Sequence, residues 1–143
     1  MRNKNVKKLI GILLIVAFSS VIIGYKIYNK PHVNVAENSA DIAQTANRLF
    51  IDFSTDETKA NTTYLDKIIA VKGVVANIAE EGEKRIVTLQ TSDDFGSVIC
   101  YLTKEDSENN AQIKEGQTLV LKGICTGFLM DVILVKCVVT NLK

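Results

Sequence analysis

The sequence predicts a mainly β protein: a small closed Greek-key barrel of five strands, led by helices and preceded by one transmembrane helix. Three observations carry that expectation. An uncharged apolar segment lies near the N-terminus behind a cluster of bases. A helical period of apolar residues follows up to about residue 64. From residue 67 onward the period becomes two, in five runs broken once, after the third, by a polar helix-compatible stretch.

Residues 9–25 (LIGILLIVAFSSVIIGY) carry no charge, and Ile27 and Tyr28 extend the stretch beyond Lys26. About twenty residues at about 1.5 Å each reach across a hydrocarbon core of about 30 Å. Tyr25 and Tyr28 fall where an interfacial aromatic belt belongs. Arg2, Lys4, Lys7 and Lys8 outnumber Lys26 and Lys30 across the segment, which places the N-terminus in the cytoplasm and the rest outside it. A cleaved signal peptide is the rival reading. Ala17-Phe18-Ser19 offers a small-x-small site, but the apolar run continues through residues 21–25. A lipoprotein needs a cysteine at the end of the apolar run, and the first one here is Cys100.

The expected organisation is a cytoplasmic tail and anchor over residues 1–30, a tether over 31–40, and the barrel domain with its leading helices over 41–143. The tether holds the only proline, Pro31, and the only histidine, His32, which reads as solvated. Next, Ile42, Ala46, Leu49, Phe50 and Phe53 recur at helical spacing with Asp41, Gln44, Asn47, Arg48 and Asp52 opposite. Ser54 with Glu57 has the spacing of a capping box and predicts a second short helix towards Tyr64.

Residues 67–76 alternate around Gly73 as a long first strand, where an internal glycine permits a sharp bend. A polar turn at 80–83 leads to a strand at 85–91, and Asp93-Asp94-Phe95-Gly96 turns into a third at 97–102. A helical connection is expected over 103–113, then strands at 118–125 and 132–140. The apolar stripe of the first helix must be covered, and the mouth of the barrel is the nearest surface that can cover it.

This arrangement resembles the tRNA_anti-like family of bacterial proteins with the oligonucleotide/oligosaccharide-binding (OB) fold, over about residues 37–142. The residues that carry the resemblance are Ala60-Asn61, Tyr64-Leu65-Asp66-Lys67 leading into Val71-Lys72-Gly73-Val74-Val75, and Val98-Ile99-Cys100-Tyr101. They continue with Gly116, the run from Val120 to Gly127, and the run from Val132 to Cys137. The resemblance implies an anchored or exported single-domain protein with the OB fold. It does not by itself imply RNA binding, because OB folds also bind sugars and proteins or act as spacers.

Charge bears on the ligand. The first thirty residues contribute about +6, so the remainder, with eleven bases and sixteen acids, stands near −5. A single-strand binder combines a positive groove with aromatic platforms. Here Phe95, Tyr101 and Phe128 are the aromatics of the β region, and Lys72, Lys84, Arg85, Lys122 and Lys136 are spread among acids. The candidate ligand face is Lys72, Tyr101 and Lys122, with Tyr101 either outward or packed under the leading helices. Nucleic acid is the disfavoured partner. A membrane, through the N-terminal span, and an extracytoplasmic protein or other partner are the expected ones.

Cys125 aligns with Leu119, Leu121 and Gly123, and Cys137 with Ile133, Val135 and Val139, so both are expected inside. Three buried thiols are the plain reading. A Cys125–Cys137 disulfide is the alternative that export allows. No catalytic constellation, cofactor motif or metal-ligand spacing is present. The expectation is a non-catalytic binding or scaffold module without a cofactor, with a single-strand nucleic-acid-binding protein as the alternative.

Overall fold

A computed structural model describes residues 2–28 and 34–141 of the chain. It forms two units, residues 1–33 and 34–143. The first is a helix, α1 (Arg2–Tyr28). Ile10, Leu13, Leu14, Phe18, Val21 and Ile23 are among its exposed side chains. The Ser19 and Ser20 hydroxyls donate to the Val16 carbonyl, at 3.0 and 2.8 Å. Among the described residues no helix is long and apolar enough to cross a membrane. The transmembrane helix expected from the sequence is therefore not shown.

The second unit is a barrel. Its elements are β1 (Ile42–Thr45), α2 (Ala46–Thr55), α3 (Glu57–Tyr64), β2 (Ile68–Glu81), β3 (Lys84–Leu89), β4 (Val98–Leu102), α4 (Lys104–Asn109), β5 (Thr118–Leu129) and β6 (Asp131–Asn141). Strand β2 is long enough to serve two neighbours. Its residues 68–74 pair with β5 and, past an irregularity between Val75 and Asn77, its second half pairs with β3. The β2–β5 pairing closes the sheet, and a parallel β4–β6 pairing makes the other seam. Gly73 lies at the β2 crossover, where a Cβ would stand 3.0 Å from that of Ala46 and 3.1 Å from that of Leu89.

Two expectations about the leading segment are corrected. Residues 42–45 form a strand, not the first turn of a helix, because they pair in parallel with Ile69–Lys72 along the edge of β2 that β3 does not reach. The helix begins only after Thr45, whose hydroxyl accepts from the Arg48 backbone N–H. Likewise Ser54 is not a cap. It lies inside α2 and donates to the Ile51 carbonyl, while Asp56 caps α3 by accepting from the Lys59 N–H at 3.0 Å. The tether expected at 31–40 is packed over residues 34–40. Val35 is buried with Ile68 and Val138, and the Lys122 ammonium donates to the carbonyls of Ala36 and Asn38 at 3.2 and 2.6 Å. Pro31 and His32 lie outside the described residues.

Both ends of the barrel are closed. At the end where β3 finishes and β4 begins, α2 buries Ala46, Leu49, Phe50 and Phe53 in the same cluster as Val71, Leu89, Val98 and Val132. Phe128 stacks on Phe53 with centroids 5.7 Å apart and meets Phe50 edge-on at 5.9 Å. At the other end Thr103 caps α4, and Ser107 accepts from the N–H of Arg85, the second residue of β3. There the Asp106 carboxylate accepts from the Val139 N–H at 2.7 Å. Burial pushes the Asp106 carboxyl upward, and that backbone donor opposes the shift.

Candidate functional site

The barrel separates the three residues of the expected ligand face. Lys72 lies opposite Val120, and Lys122 opposite Ala70, so the two lysines are diagonal neighbours on the outside of the β2–β5 seam. Lys122 is held by the 34–38 turn and is not available to a ligand there. Tyr101 is elsewhere, on β4 opposite Ile86. It points outward because Cys100 and Leu102, on either side, point in. It is half-buried, and α2 and α3 are not its neighbours.

Tyr101 instead lies in a groove of about 830 Å³, lined by Glu81, Glu83 and Lys84 of the β2–β3 hairpin, Leu102, Thr103 and Lys104 at the start of α4, and Val135 and Lys136 of β6. A β-bulge shapes its floor. Cys100 pairs with Leu134 and Leu102 with Cys137, so Val135 and Lys136 together oppose the single residue Tyr101. Lys136 takes the extra position with φ of 52°, a left-handed conformation that turns its side chain away from the regular pleat. Lys104 is paired with Glu83 at 2.7 Å. Lys84 and Lys136 make no ion pair among the described residues. The site is thus an aromatic with aliphatic flanks inside a ring of three lysines and two glutamates. Its residues come from three distant segments, and only Tyr101 stood out in the sequence as part of a ligand face.

The same bulge decides the cysteines. By inserting one residue it reverses the alternation of β6, so Cys137 points inward with Val132 and Leu134 and not with Ile133 and Val135. All three thiols are free and buried. Cys125 pairs with Leu134, three positions from Cys137, or about 10 Å at strand rise, and a disulfide needs Cα atoms within about 7 Å. The thiol that Cys137 meets is that of Cys100, and burial raises Cys137 well above the usual thiol range. Among the described residues no group of three or more His, Cys, Asp or Glu could hold a metal.

A second cleft, of about 520 Å³, runs between α2 and α3. At its base the Tyr64 hydroxyl donates to Asp52 Oδ2 at 2.7 Å, and Arg48 pairs with the other carboxylate oxygen at 3.0 Å. Burial first, then the hydrogen bond to Asp52 and its charge, push the Tyr64 phenol up to about 12. The folded state therefore favours the neutral phenol. Its contribution to stability is complete below about pH 10 and is lost as pH rises through about 12. An ultraviolet titration of tyrosinate should show a component near pH 12 that Tyr64→Phe removes. A curve that keeps this component in the variant would contradict the assignment.

Set beside known proteins, residues 1–139 match the model of the tRNA_anti-like family, and the chain belongs to that family. No curated protein matches it. Among solved structures it is similar to a "putative nucleic acid-binding lipoprotein" from Klebsiella pneumoniae subsp. pneumoniae. The identity is 18%, the match covers 68% of this chain and 91% of that one, and the TM-score is 0.58. It is also similar to the Stn1-Ten1 complex of S. pombe, at 16% identity, over 53% of this chain and 58% of that one, with a TM-score of 0.44. The barrel is an OB fold, as the resemblance implied.

Proposed function

We propose that this member of the tRNA_anti-like family is a non-catalytic OB-fold binding or scaffold module, held at a membrane by α1 with its barrel outside the cytoplasm, and that the Tyr101 groove receives its partner. The groove is the observation that carries this reading. It has the volume of a ligand site, an apolar floor and a few polar groups at its rim. The anchoring is supported by α1, where large apolar side chains between Ile10 and Tyr25 are exposed all round the helix and both serine hydroxyls are satisfied by their own helix. The excess of bases before the apolar segment supports the orientation.

A photoreactive phenylalanine analogue in place of Tyr101, activated in intact cells, should yield a protein adduct that the same analogue at Lys72 does not. Adducts from Lys72 alone would move the binding surface to the β2–β5 seam. Protease added outside the cells should remove the barrel, and protection would overturn the orientation.

Single-strand nucleic-acid binding is the second reading. Lys84, Lys104 and Lys136 around Tyr101 favour it, as does the similarity to the nucleic acid-binding lipoprotein of Klebsiella. Glu81 and Glu83 in the same groove, and the net charge near −5 beyond residue 30, weigh against it. The expected result is weak or absent binding of single-stranded oligonucleotides at physiological salt. A micromolar complex that weakens steeply with added salt would make the second reading the right one.

A further inference from the structure

At the α2 end of the barrel three large apolar side chains stand in solvent: Phe95 at 88% exposure, Leu129 at 80% and Met130 at 73%. They belong to the loop between β3 and β4 and to the turn between β5 and β6. The two loops are fastened together. The backbone N–H and the hydroxyl of Ser97 both donate to Asp131 Oδ1 at 2.7 Å, and the Val132 N–H donates to the Ser97 carbonyl at 3.0 Å. The first loop is also fastened to itself and to α2. The Phe95 N–H donates to Asp93 Oδ1 at 2.8 Å, Thr91 donates to the Gly96 carbonyl, and Ser92 donates twice to Asn47 Oδ1. Apolar side chains on a tip this well tied form a presented patch, with most of the ordering that binding requires already in place. Its surroundings are acidic: Asp93, Asp94 and Asp131 lie in these loops, and residues 90–97 and 127–132 contain no base.

The Tyr101 groove has the converse character, with an apolar floor of Tyr101 and Val135 among three lysines and two glutamates; Glu83 pairs with Lys104, which leaves Lys84 and Lys136 as its lysines without an ion pair among the described residues. We propose that the acidic, apolar tip of one copy docks in the Tyr101 groove of a second copy, Phe95 covering the floor while Asp93 and Asp94 face Lys84 and Lys136. This rests on the groove being the binding surface. An acidic tip is repelled by an anionic bilayer, which argues against a lipid surface as the occupant. Each copy carries one tip and one groove, so the association is heterologous and continues beyond two unless the rotation closes a ring.

The test uses the full chain in dodecyl maltoside and a mixture of two variants, Leu129→Cys beside the tip and Glu83→Cys at the rim of the groove, joined by a short bismaleimide. The native thiols are fully buried and leave the introduced ones as the reactive pair. The mixture should give several-fold more cross-linked dimer than either variant alone. Adding Asp94→Lys to the Leu129→Cys chain should reduce that excess several-fold, and Lys84→Glu on the other chain should restore part of it. All these positions are exposed, so the fold is not at stake. A yield no greater than that of the single variants, or one indifferent to the tip charges, overturns the proposal. If the photoreactive group at Tyr101 still captures a different protein, the binding-module reading stands and only self-docking falls. If it captures nothing as well, both fall.

Discussion

Phe53→Ala should destabilise the unit 34–143 by about 3 to 5 kcal/mol, the usual range for truncating a buried phenylalanine. The residue is 1% exposed, at the centre of a ring cluster with Phe128 at 5.7 Å and Tyr64 at 5.8 Å. These rings join α2, α3 and the end of β5, so the substitution opens a cavity between three elements instead of at one surface. A domain of this size has about 5 to 15 kcal/mol in total, and the fall in Tm should be on the order of 20 °C. Glu83→Ala is the control. Its carboxylate pairs with Lys104 in the open, 72% and 53% exposed, and exposed pairs contribute at most about 1 kcal/mol. Thermal unfolding of the fragment 34–143 followed by circular dichroism measures both. A Phe53→Ala variant that melts with the wild type would show α2 to be a passenger on the barrel, and its apolar stripe would then be open to a partner.

The stripe was legible in the sequence because burial imposed it directly: Ala46, Leu49, Phe50 and Phe53 are apolar since they fill the barrel's mouth. The five barrel strands were legible for the same reason, through alternation that follows the inner face. The sixth strand was not. Ile42 fits the helical spacing of the residues after it, and what makes residues 42–45 extended is a vacant edge contributed by residues 69–72, a non-local fact. The bulge at Lys136 was equally hidden. Nothing in the pattern VILVKCVVT marks the extra residue, yet it moves Cys137 to the other face and sets Lys136 beside Tyr101. The groove depends on that bulge, and so its membership could not be read from residue spacing.

Gly123→Ala tests the same region from the inside, and should cost about 3 kcal/mol or more. Glycine here answers a packing need, since its φ is ordinary and the inner side of β5 faces the bulge. A Cβ would overlap the Cys137 sulfur and lie 3.2 Å from both the Leu134 Cβ and the Val135 carbonyl oxygen. Overpacking costs about 1 to 3 kcal/mol when neighbours can shift. These cannot shift easily: Cys137 is fully buried against Cys100, and its chain is already bent through the left-handed Lys136. The sulfur is the tightest neighbour, so its removal should relieve much of the strain. Cys137→Ala alone should destabilise modestly, and the double variant Gly123→Ala/Cys137→Ala should be more stable than the two single effects predict, with a coupling of about 1 to 3 kcal/mol. Denaturant unfolding of the four proteins gives that coupling. Strict additivity would mean that Gly123 is required by the β5 backbone and not by the cysteine beneath the bulge.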